Sequence, residues 1–122
     1  MFPITAKSLI SFFTVSVLIL TSAASAKAGD WNAVVWSPTT GKAAFSKGDT
    51  SAEAAIASAM NKAGNPSKWV RLHVKNGYAV IVSDNTGHHG TGIGDNYANA
   101  LRNALQFCPG GTVRIWVGST AR

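Results

Sequence analysis

Short β-branched runs alternate with longer stretches whose apolar residues recur at helical spacing. Residues 33–37 (AVVWS) and 79–83 (AVIVS) have the length and branching of strands. Each runs into turn residues, Pro38-Thr39-Thr40-Gly41 and Asp84-Asn85-Thr86-Gly87, where glycine accepts a positive φ and Pro or Asp suits the earlier positions. Residues 42–46 read as a returning strand. Their counterpart, residues 88–92, is a poor strand former, so that hairpin is expected to fray. A helix follows in each half. Thr50-Ser51-Ala52-Glu53 has the form of a capping box, and Ala52, Ala55, Ile56, Ala59, Met60 and Ala63 fall on one face before Gly64 and Pro66. In the second half Asp95 or Asn96 caps, Ala98, Leu101, Leu105 and Cys108 form the stripe, and Pro109-Gly110 stops it. The closing strands alternate cleanly. Val70, Leu72 and Val74 oppose Trp69, Arg71 and His73, and Val113, Ile115 and Val117 oppose Thr112, Arg114 and Trp116.

The two halves resemble each other. Laying residue 79 over residue 33, an offset of 46, pairs Ala33/Ala79, Val34/Val80, Ser37/Ser83, Thr40/Thr86, Gly41/Gly87, Gly48/Gly94 and Asp49/Asp95 as identities. The retained order of strand, turn, Gly-Asp, helix and strand reads as an internal duplication. The expected fold is α+β: a duplicated β-β-α-β unit, with repeats at 31–76 and 77–119, forming a mixed sheet of about six strands with two helices on one face. In that arrangement the Val and Leu rows lie under the helices. The opposite face carries Trp69, Arg71, His73, Arg114 and Trp116 with nothing left to cover it.

The first 26 residues have a different character. Lys7 precedes an apolar run from residue 9 to residue 20, and small residues lead to Ala24-Ser25-Ala26. This is the form of a signal peptide cut before Lys27, and the run is short of the ~20 residues a membrane span needs. The expectation is a signal peptide at 1–26 and one domain at 27–122, secreted or periplasmic, with no integral membrane segment once the leader is lost. Hydrophobic residues make up 46% and charged residues 13%, which is the composition of a folded chain and not of a disordered one. Lys and Arg number 11 against 5 acids, a net charge of +6. The basic residues are spread along the chain, and no nucleic-acid motif is present. The charge therefore points to an unknown protein or an anionic envelope component, and not to nucleic acid.

The pattern Trp31-x-Ala33-x-x-x-Ser37-Pro38-x-Thr40-Gly41, then Ser51-x-x-x-Ala55, then Asn99-Ala100-Leu101-x-x-Ala104-Leu105-x-x-Cys108, and a closing strand at 113–119 resembles the bacterial exported domain-of-unknown-function family numbered 4189. The resemblance implies export and carries no catalytic residues. It also implies further cysteines, one of them in the strand after the second helix; here residues 112–118 contain none, and Cys108 is the chain's one cysteine.

Candidate chemistry is sparse. Residues 87–94 (GHHGTGIG) precede a helix but lack the Gly-Lys-Ser/Thr of a phosphate loop, and no cofactor is implied. His88 and His89 are adjacent, so on a strand they point to opposite faces; a shared metal would need His73, Asp84 or Asp95 nearby. Cys108 sits on a helix stripe as a small hydrophobe, or as a thiol free to pair between chains. No Gly-x-Ser-x-Gly elbow occurs. The favoured reading is a non-enzymatic binding domain using Trp69, Arg71, His73, Arg114 and Trp116, and able to dimerise through the bare sheet face. The alternative is a secreted hydrolase or toxin-like effector with His73, His88 or His89 as base.

Overall fold

The computed structural model describes residues 29–118. The expected leader at 1–26 lies outside the described residues. The chain runs β1 (Trp31–Trp36), β2 (Ala43–Asp49), α1 (Ala52–Lys62), β3 (Val70–Lys75), β4 (Tyr78–Ser83), β5 (His89–Gly94), α2 (Tyr97–Phe107) and β6 (Thr112–Val117). The class is α+β.

The expected single mixed sheet is replaced by two three-stranded antiparallel sheets, ordered β2-β1-β3 and β5-β4-β6. They lie face to face. Val34 and Trp36 of β1 pack against Ala79 and Ile81 of β4 and Val117 of β6, with Val70, Leu72 and Val74 of β3 alongside. Each outer face carries one helix. Ala55, Ala59 and Ala63 of α1 meet Ala33 and Val35; Ala100, Ala104 and Cys108 meet Val80 and Val82. The layers therefore run helix, sheet, sheet, helix. The face of each sheet turned away from its helix is covered by the other sheet, so Trp69, Arg71, His73, Arg114 and Trp116, expected on a bare face there, lie elsewhere and keep some exposure. The row of Val70, Leu72 and Val74 faces that sheet and not a helix.

The central strands explain the layering. A strand buried on one face alternates apolar and polar residues, whereas one buried on both reads as a continuous apolar run. Ala33, Val34, Val35, Val80, Ile81 and Val82 are all fully buried.

The helix starts follow from their caps. Ser51, not Thr50, caps α1: its side-chain oxygen accepts the Ala54 N–H at 3.0 Å. Asn96 caps α2 in the same way, accepting the Asn99 N–H at 2.8 Å. The α2 stripe centres on Ala100, Ala104 and Cys108, with the expected Leu101 and Leu105 packed beside them and Ala98 exposed.

The uniform offset of 46 does not hold through the structure. Trp31 and Tyr78 open equivalent central strands, whereas Ser51 and Asn96 are equivalent caps, so the spacing falls from 47 to 45. Ala33 accordingly faces α1 while its sequence match Ala79 faces the opposite sheet. Part of the lost length is a β-bulge: the β1–β2 pairing slips between Trp31 and Ala33, beside Gly48 at φ +73°, and the β4–β5 pairing has no such slip.

The β4–β5 hairpin does not fray. It is paired from Tyr78 opposite Gly94 to Ser83 opposite His89. Glycines of poor strand propensity are accepted there because α2 lies directly on β5. A Cβ at Gly90 would meet the Ala104 carbonyl oxygen, and one at Gly92 the Ala100 carbonyl oxygen.

Candidate functional site

The structure separates the five residues singled out from the sequence. Trp69, Arg71 and His73 lie at and along β3, an outer strand of the first sheet; Arg114 and Trp116 lie on β6, an outer strand of the second. On β3 the Arg71 guanidinium sits 5.4 Å from the Trp69 ring centroid, and His73 lies 5.6 Å from Trp31, ring to ring. Trp69 also packs against the α1 cluster, so this row stands beside the helix and not on the inter-sheet face.

Arg114 and Trp116 belong to a different feature. A cleft of about 560 Å³ opens between β2 and β6, lined by Phe45 and Lys47 from one sheet and Tyr78 and residues 113–118 from the other. Phe45 is 44% exposed and Trp116 47%, so both rings remain open to a ligand. The Trp116 ring is held in place. It stacks on Tyr78 at 6.3 Å and 12°, and Tyr97 meets it edge-on at 5.1 Å and 66°. Phe45 is braced by Lys62, whose Nζ donates to the Phe45 carbonyl at 3.2 Å and lies 5.9 Å from its ring centroid.

Arg114 owes its position to a second β-bulge. The β4–β6 pairing runs from Ile81 opposite Ile115 to Val82 opposite Val113, which leaves Arg114 as the extra residue. The bulge sends Val113 to the α2 cluster and Ile115 to the inter-sheet cluster, while Thr112, Arg114 and Trp116 still alternate with them as the exposed residues. The Arg114 Nε–H donates to the hydroxyl of Ser83, itself 2% exposed. That bond fixes one nitrogen of the guanidinium and leaves the outer pair for a second acceptor. No carboxylate lines the cleft among the described residues.

Phe45, Lys47 and Tyr78 were missed as site residues. Phe45 carried a weak signal, a large aromatic in a strand otherwise built of Ala, Ser and Lys.

His73 stands on the first sheet, His89 opens β5 of the second, and His88 lies in the turn between β4 and β5. His88 joins a local turn: Asp84 Oδ1 accepts from the Thr86 hydroxyl at 2.8 Å, the Thr86 N–H at 2.9 Å and the His88 N–H at 3.0 Å. These bonds, the hydroxyl's foremost, hold the Asp84 carboxyl down at about 2. No group of three or more His, Cys, Asp or Glu side chains able to hold a metal occurs among the described residues. Cys108 is 1% exposed under α2, where its Sγ–H donates to the His88 carbonyl at 3.6 Å; a disulfide between folded chains is therefore out of reach. No helix among the described residues is long and apolar enough to cross a membrane.

A family model matches residues 31–115, from the first residue of β1 to Ile115 in β6. The chain belongs to that family, a domain of unknown function (DUF4189). The match takes in both sheets, Phe45, Lys47, Tyr78 and Arg114, and ends one residue before Trp116. No curated protein and no solved structure matches the chain.

Proposed function

We propose that this member of the family is a small exported, non-enzymatic binding domain that recognises a protein or cell-envelope component through the cleft between β2 and β6. The observation that carries the reading is Arg114, anchored at Nε by Ser83, beside the open rings of Phe45 and Trp116 in a cleft with no carboxylate on its described walls. Aromatic and arginine side chains are the residue types that most often anchor interfaces. Export rests on the form of residues 1–26, and the net charge of +6 favours an anionic partner. The shared strand order of the two sheets, with the first strand of each half at the centre, supports reading the halves as a duplication that has since lost its uniform spacing.

The test is binding of the leader-free chain to isolated envelope fractions, compared with the Trp116→Ala and Arg114→Ala variants. Both side chains are exposed, so near-ultraviolet circular dichroism should report an intact fold. Loss of binding in both variants is expected. Equal retention by wild type and variants removes the cleft from consideration.

A further inference from the structure

Resting on the reading above, the geometry points to a specific occupant: we infer that the cleft receives an extended acidic peptide, which adds as a strand along the free edge of β6. β6 ends the order β5-β4-β6, so among the described residues one of its edges is paired and the other is not. The cleft is lined by the consecutive residues 113–118 and therefore runs along the strand, a length of about 20 Å at the ~3.3 Å rise of a strand residue. An extended peptide laid there meets backbone N–H and C=O groups at every second residue, which is how strand addition gains affinity. The facing wall is β2, the outer strand of the other sheet, which offers Phe45 and Lys47 to the cleft.

Charge selects among possible strands. Lys47 lies on one wall and Arg114 on the other, with no carboxylate between them among the described residues. Cations on an open edge repel basic strands, and they repel a second copy of this chain, which would bring its own Lys47 and Arg114 to the same place. They attract a strand bearing Glu or Asp. The Arg114 guanidinium, with Nε already taken by Ser83, keeps its outer N–H groups for a carboxylate.

The experiment uses the leader-free chain and a short capped, fluorescein-labelled peptide alternating valine and glutamate. Its partners are the valine–lysine counterpart, the acidic peptide N-methylated at alternate residues in each of the two phases, and an oligogalacturonate as a non-peptide polyanion. Fluorescence anisotropy reads the peptides, and calorimetry reads the oligosaccharide. The acidic peptide should bind and the basic one should not. N-methylation in one phase should abolish binding and in the other leave it, because only alternate N–H groups face β6. Arg114→Ala should weaken binding by about tenfold or more, the loss expected for a charged hydrogen bond. If both N-methylated peptides bind as well as the parent, the contact is not a strand and the inference is overturned. It is also overturned if the oligogalacturonate binds in a Trp116-dependent way and the peptide does not, although the binding-domain reading then stands. Failure of every probe overturns the inference alone, since envelope binding decides that reading independently. Sedimentation showing a dimer that dissociates on acidic peptide would assign the edge to a second copy and overturn it as well.

Discussion

Arg114 donates its Nε–H to Ser83, so an exposed guanidinium is tied to a hydroxyl that is 2% exposed. The bulge in β6 makes the contact possible by taking Arg114 out of the regular pairing with β4. Ser83→Ala removes the anchor. The arginine can then turn to water, so the cost is the ordinary net worth of a hydrogen bond, about 1 kcal/mol. Urea unfolding should show that decrease with an unchanged slope. Binding at the cleft should weaken less than in Arg114→Ala, because the charge remains and only its orientation is lost.

The glycines of β5 test the closeness of α2. In Gly92→Ala the new methyl would run into the Ala100 carbonyl oxygen and the Ala104 nitrogen, backbone atoms of a helix that cannot yield locally. The expected loss is about 3 kcal/mol, at the upper end for overpacking. Gly87→Ala separates sterics from conformation. Its methyl has nothing within 4 Å, but the residue sits at φ +95°, so backbone strain alone should cost about 1 kcal/mol. Urea midpoints of the two variants should rank in that order. A Gly92→Ala protein as stable as wild type would mean that α2 does not rest on β5.

Much of the secondary structure was legible because local chemistry decides it. Gly41 and Gly87 both take the positive φ that their turns require, at +76° and +95°. Gly64, at φ +84°, follows the end of α1. Layering was harder to read. The runs AVV and AVIV read as strands, and their lack of alternation marks burial on both faces, which calls for a second covering layer. That layer is the other half of the same chain. The glycines of residues 88–92 read as a fraying strand because propensity disfavours them, and a helix backbone at contact distance overrides propensity. The cleft was half legible. Arg114 and Trp116 stand out as residue types, whereas Phe45 and Lys47 reach them only through the packing of one sheet on the other. A bulge at Arg114 leaves no local mark in the sequence.

Acid should expose the turn around Asp84. The Thr86 hydroxyl foremost, then the backbone N–H groups of Thr86 and His88 and the nearby His88 ring, lower the carboxyl from its ordinary 3.8 to about 2, against the opposing effect of desolvation. The folded pKa lies below the unfolded one, so the carboxylate's contribution to stability is present above about pH 4 and is lost as pH falls towards about 2. Carboxyl carbon shifts followed by NMR should show Asp84 titrating at the bottom of this range. In Asp84→Asn that part of the acid-side decline in thermal midpoint should be absent, and a decline identical to wild type would show that the turn is not responsible.

Cys108 provides a test of how tightly α2 closes the second sheet. Its thiol is 1% exposed, packed with Val80, Val82, Ala100 and Ala104, and directed at the His88 carbonyl. Burial pushes its pKa up, and the charge of Asp84 adds to this, so the thiol stays protonated where an exposed one would begin to ionise. Reaction with iodoacetamide needs a thiolate and needs access, and the folded chain provides neither unless α2 lifts away. Labelling of the native protein should therefore be slower than in urea by about a hundredfold or more, the factor set by the free energy of local opening. Gly92→Ala, which forces α2 off β5, should speed labelling while the protein remains folded. Rapid native labelling, or a covalent dimer on a non-reducing gel of freshly prepared protein, would show that the helix does not seal this layer.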